Sequence, residues 1–213
     1  DAGISASVGS RSLIAHAKGF PVDLLLLRDD DIPQAVAMGT ADIGIVGLNE
    51  VEEKGVEVER VLDLGFGGCR LSLAVPREAD YKDLGWFDGK RIATSYPEIL
   101  SRFLKANSIN AKIHTITGSV EIAPAVGMAD AIFDIVSSGG TLIQNGLVEV
   151  KSVLDSQAVL IASPGLSAEK REELDKLCFR FRSIIESRGM KYVLMNIPKQ
   201  SLDEALKVLP GMK

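Results

Sequence analysis

The densest chemistry in the chain lies in the run Asp130-Ala131-Ile132-Phe133-Asp134-Ile135-Val136-Ser137-Ser138-Gly139-Gly140-Thr141-Leu142. An apolar strand carrying an acid runs straight into Ser-Ser-Gly-Gly-Thr, with a helix start expected at Thr141. Glycines let the backbone turn with its N–H groups converging, hydroxyls add donors, and a helix amino terminus adds partial positive charge. Those are the parts of a phosphate cradle. Asp134, just ahead, is placed to accept hydrogen bonds from two vicinal hydroxyls, as on a ribose. An acid followed by a phosphate loop suits a sugar phosphate such as a 5-phosphoribosyl group. For an isolated Ser-Gly-Gly the competing reading is a plain turn with a capping threonine.

A second glycine-rich stretch is Asp63-Leu64-Gly65-Phe66-Gly67-Gly68-Cys69-Arg70-Leu71-Ser72. Gly67-Gly68 ahead of Arg70 and a strand can bring backbone and guanidinium close to a polyanion. It matches neither the dinucleotide-binding fingerprint nor a P-loop. On spacing alone, a turn with a surface arginine is the better reading. Arg28-Asp29-Asp30-Asp31 has the look of a magnesium cluster, yet neighbouring side chains of an extended run point opposite ways, which favours structural and solvated roles for the acids. Asp31 is expected to cap the helix that begins at Ile32-Pro33. Cys69 has no histidine near it in sequence and is a poor nucleophile candidate. His16 and His114 have no ligand-type spacing to each other or to Cys69 and Cys178, so no metal site is assigned. Two distant cysteines also argue against a disulfide framework.

The 213 residues are 46% hydrophobic, 25% charged and 5% aromatic, a globular balance that excludes disorder and fibre. Length alone allows one large core or two modest lobes. Leu24 to Leu27 and the other apolar stretches are far shorter than the ~20 residues a membrane span needs, and cytoplasmic residence is the default expectation. A net charge of -5 offers no bulk attraction to nucleic acid or anionic lipid, so an anionic ligand must be held by local amides and placed arginines. The chain opens on Asp1 rather than Met and closes on Leu209-Pro210-Gly211-Met212-Lys213, so a piece of something longer is expected.

Elements must position these groups. Apolar runs bounded by turn residues, Val22 to Leu27, Ile43 to Val46, Leu71 to Val75, Arg91 to Thr94, Ala131 to Val136 and Ala158 to Ala162, read mostly as buried strands. Between them, Ile32 to Met38, Glu98 to Asn107, Val120 to Val126 and Ala168 to Arg188 carry helical patterns, with starts marked at Tyr96-Pro97-Glu98 and Ser167. Alternation of this kind predicts an α/β fold with largely parallel sheets. The segment from Ile32 to Gly47 also echoes that from Ile122 to Ser137, about ninety positions on: helix, Ala-Asp turn, apolar strand ending in small residues. Duplication into two lobes and coincidence both account for the echo. With two lobes, the ligand belongs in the cleft where strand carboxyl ends face helix amino ends, at Gly47 and Ser137 to Thr141.

Six stretches taken together resemble one family: Arg28 to Pro33, Ala41 to Gly47, Leu64 to Ala74, Arg91 to Pro97, Gly118 to Pro124 and Asp130 to Gly146 are similar, in order and spacing, to the catalytic core of ATP phosphoribosyltransferase. The resemblance covers nearly the whole chain. It implies two lobes of the periplasmic-binding-protein type II kind, with lobe I at 1–78 and 159–188 and lobe II, carrying the phosphoribosyl loop, at 79–158. Residues 189–213, with a strand and a helix over Met190 to Pro198 and Ser201 to Leu209, would begin a small α+β regulatory domain. It further implies attack of N1 of ATP on the anomeric carbon of 5-phosphoribosyl diphosphate, with inversion and loss of magnesium-bound pyrophosphate. Carried over by motif, Glu121, Asp130, Asp134, Ser137, Ser138, Gly139, Gly140 and Thr141 would bind the phosphoribosyl group, and Arg28, Gly47, Arg70 and Tyr96 the ATP side. Mg2+ would come with the diphosphate, histidine would inhibit through the regulatory domain, and dimers would assemble into hexamers. The family's opening strand and most of its regulatory domain are missing here, which implies weak catalysis and no response to histidine. A solute-binding or ligand-sensing module of the same two-lobed shape is the alternative function.

Overall fold

The structure, a computed structural model, describes residues 2–7, 13–191 and 193–208. Its strands are β1 (Ser5–Ala6), β2 (Ile14–Lys18), β3 (Asp23–Leu25), β4 (Ile43–Gly47), β5 (Glu59–Asp63), β6 (Cys69–Pro76), β7 (Arg91–Thr94), β8 (Lys112–Thr115), β9 (Ala131–Val136), β10 (Leu147–Ser156) and β11 (Ala158–Ala162). Helices α1 (Ile32–Ala37), α2 (Leu48–Lys54), α3 (Pro97–Ala106), α4 (Gly140–Gln144), α5 (Ala168–Ser187) and α6 (Leu202–Val208) lie between and after them. Two sheets organise the lobes, one of order β4-β11-β5 and one of order β10-β6-β9-β7-β8, and β1, β2 and β3 form a small third.

Each main sheet is buried on both faces. Along β11, Leu160 and Ala162 pack on Leu174 and Cys178 of α5, while Val159 and Ile161 pack on Val36 of α1. That two-sided burial is why Ala158 to Ala162 is apolar without alternation. In the larger sheet, Leu71, Leu73 and Phe133 face Phe87 and Leu100, and Ala74, Ile132 and Val136 face Val120 and Leu142.

The expected parallel character is only partly present. β7 runs parallel to β8 and β9, but β6 and β10 pair antiparallel, and β11 is antiparallel to both β4 and β5. The cause is the double crossing between lobes: β6 and β10 carry the chain from sheet to sheet and run against the strand-helix units they join. Because β6 pairs within the larger sheet, the first crossing falls at residues 64–68, ahead of the boundary expected at 78.

Ser167 caps α5, its side chain accepting from the Lys170 N–H, and Pro97 opens α3. The Asp31 carboxylate makes no capping bond, a correction with a simple cause. Asp29–Asp31 already wind into a 3-10 turn, so Asp31 is helical rather than extended and its side chain cannot fold back on the next N–H groups. Val120 to Val126 is a single 3-10 turn, Val120–Ile122, followed by turns. The run Val22 to Leu27 is extended only over Asp23–Leu25 and is exposed rather than buried, pairing with β2. Near the end, α6 forms as expected, whereas the described residues of 190–198 make no strand. Tyr192 and Leu209, part of those two expectations, lie outside the described residues, as do Asp1 and 210–213.

Candidate functional site

The two echoing segments end alike. Strand β4 delivers Gly47 to the start of α2, and β9 delivers Ser137 and Ser138 to the start of α4. At the second, Gly139 holds a left-handed conformation, φ +80° and ψ 0°, which turns the backbone so that α4 begins one residue before the expected Thr141. The first N–H groups of a helix have no carbonyl within it to bond, and here they open on a cavity of about 280 Å³. Glu121, Asp134 and Ser137 to Leu142 line that cavity.

Every predicted phosphoribosyl residue except Asp130 is therefore brought together. Asp130 precedes β9, at the opposite end from Ser137, so roughly 20 Å of extended strand separates it from the loop. It grips Arg91 through both carboxylate oxygens and accepts the Arg91 backbone N–H, and these bonds hold its carboxyl down to about 2. Its work is to anchor β7 beside β9. Asp134 sits inside, half-buried, with one oxygen accepting the Ile135 N–H at 2.8 Å. Burial, reinforced by the negative charge of Glu121, raises its pKa above the ordinary aspartate value.

The residues predicted for the ATP side are dispersed. Arg28 is exposed and donates to Asp30 at 3.1 Å. Gly47 precedes α2, and a β-carbon there would collide with the Asn49 side-chain oxygen. Arg70 makes two bonds to Glu149 and one to the Ser137 carbonyl. The Tyr96 side chain is buried in the seam between lobes, where its hydroxyl donates to Glu50 at 3.0 Å and accepts from Asn49 at 3.3 Å. Ser156, at the end of crossing strand β10, completes this network by accepting from the Asn49 backbone N–H and donating to its side-chain oxygen. Burial pushes up the pKa of both Glu50 and Tyr96, and the hydrogen bond between them satisfies two polar groups that the seam takes out of water. Tyr96→Phe leaves the buried Glu50 without one donor and is expected to cost about 1–2 kcal/mol of stability. A denaturant titration reads this, and an unchanged midpoint would mean that the hydroxyl does not brace the seam.

Sequence reasoning missed the other half of the seam. Glu53 of α2 accepts the backbone N–H groups of Glu98 and Ile99, both at 2.9 Å, so one lobe caps the helix of the other. It also missed Glu149 as the partner of Arg70, since 79 residues separate them. A larger hollow of about 600 Å³ lies between Gly19–Pro21 and α5. Its charged wall is mixed, Glu172, Glu173 and Asp175 with Lys176 and Arg180, and no glycine loop opens a helix onto it, so the smaller cavity, which has that loop, is the better candidate for a phosphate.

Two α/β lobes joined by crossing strands, with an acid and a Ser-Ser-Gly-Gly-Thr loop lining a cavity in one of them, define a two-lobed α/β protein whose candidate site is that cavity. The ATP phosphoribosyltransferase family model matches residues 28–183, and the chain belongs to that family of enzymes. It is 60% identical over 213 residues to the ATP phosphoribosyltransferase of Parabacteroides distasonis, covering all of this chain and 75% of that protein. It is 55% identical over 210 residues to that of Bacteroides thetaiotaomicron, covering 99% of this chain and 74% of that one. Among solved structures, an ATP phosphoribosyl transferase (HisG:HisZ) complex from Thermotoga maritima superposes with a TM-score of 0.75 at 26% identity, covering 87% of this chain and 89% of that one. The substrate-binding protein of an amino acid ABC transporter superposes with a TM-score of 0.58 at 12% identity, over 87% of this chain and 88% of that one, a likeness of fold alone.

Proposed function

We propose that the chain carries the catalytic cleft that joins N1 of ATP to C1 of 5-phosphoribosyl diphosphate, releasing pyrophosphate in the first step of histidine biosynthesis. The observation that carries this reading is the meeting of Asp134, Glu121 and the Ser137–Thr141 loop in one cavity of a family member. In it, Ser138 to Thr141 and the first N–H groups of α4 hold the 5-phosphate. Asp134 accepts from the two ribose hydroxyls, which fixes the anomeric carbon toward the facing lobe. Arg28 and the Gly47 turn lie on the ATP side. Adenine N1 is already a nucleophile, so little acid-base help is needed, and the residues act by orientation and charge.

Mg2+ enters with the diphosphate. The carboxyls of Glu121 and Asp134 are hard oxygen donors that fit such a complex, and the ion would neutralise the leaving pyrophosphate. In the full-length protein, residues 189–213 would begin the domain through which histidine inhibits, and the cytoplasmic enzyme would assemble from dimers to hexamers. The chain spans 75% of the length of the Parabacteroides distasonis protein.

Pyrophosphate release by the full-length protein is expected only when ATP and phosphoribosyl diphosphate are both present. Binding of either without turnover would instead indicate a solute-binding module, a reading that nothing beyond the shared fold favours.

A further inference from the structure

Three adjacent strands hold an ion pair that the reaction above does not use. Arg70 lies near the start of β6, opposite Val136 at the end of β9, and Glu149 lies on the neighbouring β10. The guanidinium meets both oxygens of Glu149, Nε to Oε1 and Nη2 to Oε2, each at 2.5 Å. Its remaining terminal nitrogen donates to the Ser137 carbonyl at 3.2 Å. Ser72, buried beneath and paired across the sheet with Asp134, donates to the same Glu149 oxygen at 2.8 Å. Both charged side chains are partly shielded from solvent, 34% and 25% exposed, and Arg70 holds the Glu149 carboxyl below its ordinary range.

A planar guanidinium gripped at two points cannot swing, so its third contact is fixed in direction. That contact is made at the first residue of the phosphate loop. A free arginine this close would be drawn toward any polyanion in the cavity and would let the loop go. Resting on the phosphoribosyl reading of that loop, we propose that Glu149 is a positioning residue: its grip on Arg70 pins the Ser137 carbonyl and so sets the entrance of the loop for the 5-phosphate. The effect belongs to phosphoribosyl diphosphate and not to ATP.

The test uses the full-length protein, its Glu149→Gln, Arg70→Lys and double variants, calorimetric titration with magnesium and phosphoribosyl diphosphate, and steady-state kinetics. Glu149→Gln is expected to raise both the dissociation constant and the KM for phosphoribosyl diphosphate roughly tenfold, with kcat and the KM for ATP within about twofold. Arg70→Lys, which keeps the charge but loses the fork, should raise the dissociation constant for phosphoribosyl diphosphate to a similar degree, and the double variant should be no worse in this than either single one. Wild-type affinity in Glu149→Gln, losses that multiply in the double variant, or equal rises for both substrates would each overturn the role. A wild-type protein that neither binds phosphoribosyl diphosphate nor releases pyrophosphate would overturn the functional reading along with it. With wild-type binding intact and Glu149→Gln indistinguishable from it, only the positioning role falls.

Discussion

Gly139→Val is expected to weaken phosphoribosyl diphosphate binding by roughly a hundredfold, equivalent to about 2.7 kcal/mol, while the protein stays folded. The cause is conformational and not steric. A β-carbon built at Gly139 meets only a Val136 methyl, at 4.0 Å, so there is room for a side chain. What valine cannot do at low cost is hold φ at +80°, where its branched β-carbon crowds its own backbone. Ser137 and Ser138 are exposed, so the strain is relieved by the loop itself. Relief rotates the N–H groups at the start of α4 away from the cavity, and affinity takes the loss that stability escapes. The buried side chains on either side, Phe133 before the loop and Leu142 after it, keep their packing. Gly139→Ala should fall between, since alanine pays the left-handed cost without the branch. Calorimetric titration across Gly, Ala and Val, alongside melting temperature, checks the order. Unchanged affinity in the valine variant would remove the loop from phosphate binding.

How far the fold and the site were legible depends on how local each signal is. Periodicity, caps and turn residues are short-range, and they placed Arg91 to Thr94, Ala131 to Val136 and Ala158 to Ala162 on the strands observed. The Ser137–Thr141 loop was legible for the same reason: a glycine between a strand and a helix has to turn, and the acid ahead of it cannot move far. Direction of pairing was not legible. The antiparallel neighbours of β6 and β10 follow from two crossings between lobes, which no window of sequence contains. Exposure misled in both directions. The leucines of Val22 to Leu27 read as core yet lie at the surface, whereas Tyr96, carried over by motif to the ATP side, lies buried in the seam. A buried phenol and an adenine-stacking phenol look identical in sequence. What tells them apart is the carboxylate of Glu50, which is 46 residues away. Glu53 on the α3 amino terminus and Glu149 on Arg70 are of the same kind, charges whose partners are chosen by tertiary folding.

Asp134→Asn is expected to separate activity from stability, lowering kcat/KM by about a hundredfold while leaving the folded state at neutral pH as stable as before or more so. The activity loss follows from hydrogen-bond chemistry. Two vicinal hydroxyls need a charged acceptor with two oxygens, whereas an amide offers one, and losing charge-assisted bonds of about 1.5–3 kcal/mol accounts for the drop. The stability effect follows from linkage. Burial, with Glu121 alongside, raises the Asp134 pKa in the folded protein above its unfolded value near 3.8. The folded state therefore holds the proton more tightly, and between those two values stability declines as pH rises. Ionising this carboxyl in its half-buried site carries a desolvation cost that asparagine does not. The difference in stability between wild type and variant should vanish below the unfolded pKa, where both side chains are neutral. Activity of the wild type runs the other way, falling as acidification protonates Asp134 and removes one acceptor. Thermal melts at several pH values, paired with pyrophosphate-release kinetics, read both. A variant that is less stable at neutral pH but keeps its KM for phosphoribosyl diphosphate would make Asp134 a structural acid, held for its bond to the Ile135 N–H and not for a ribose.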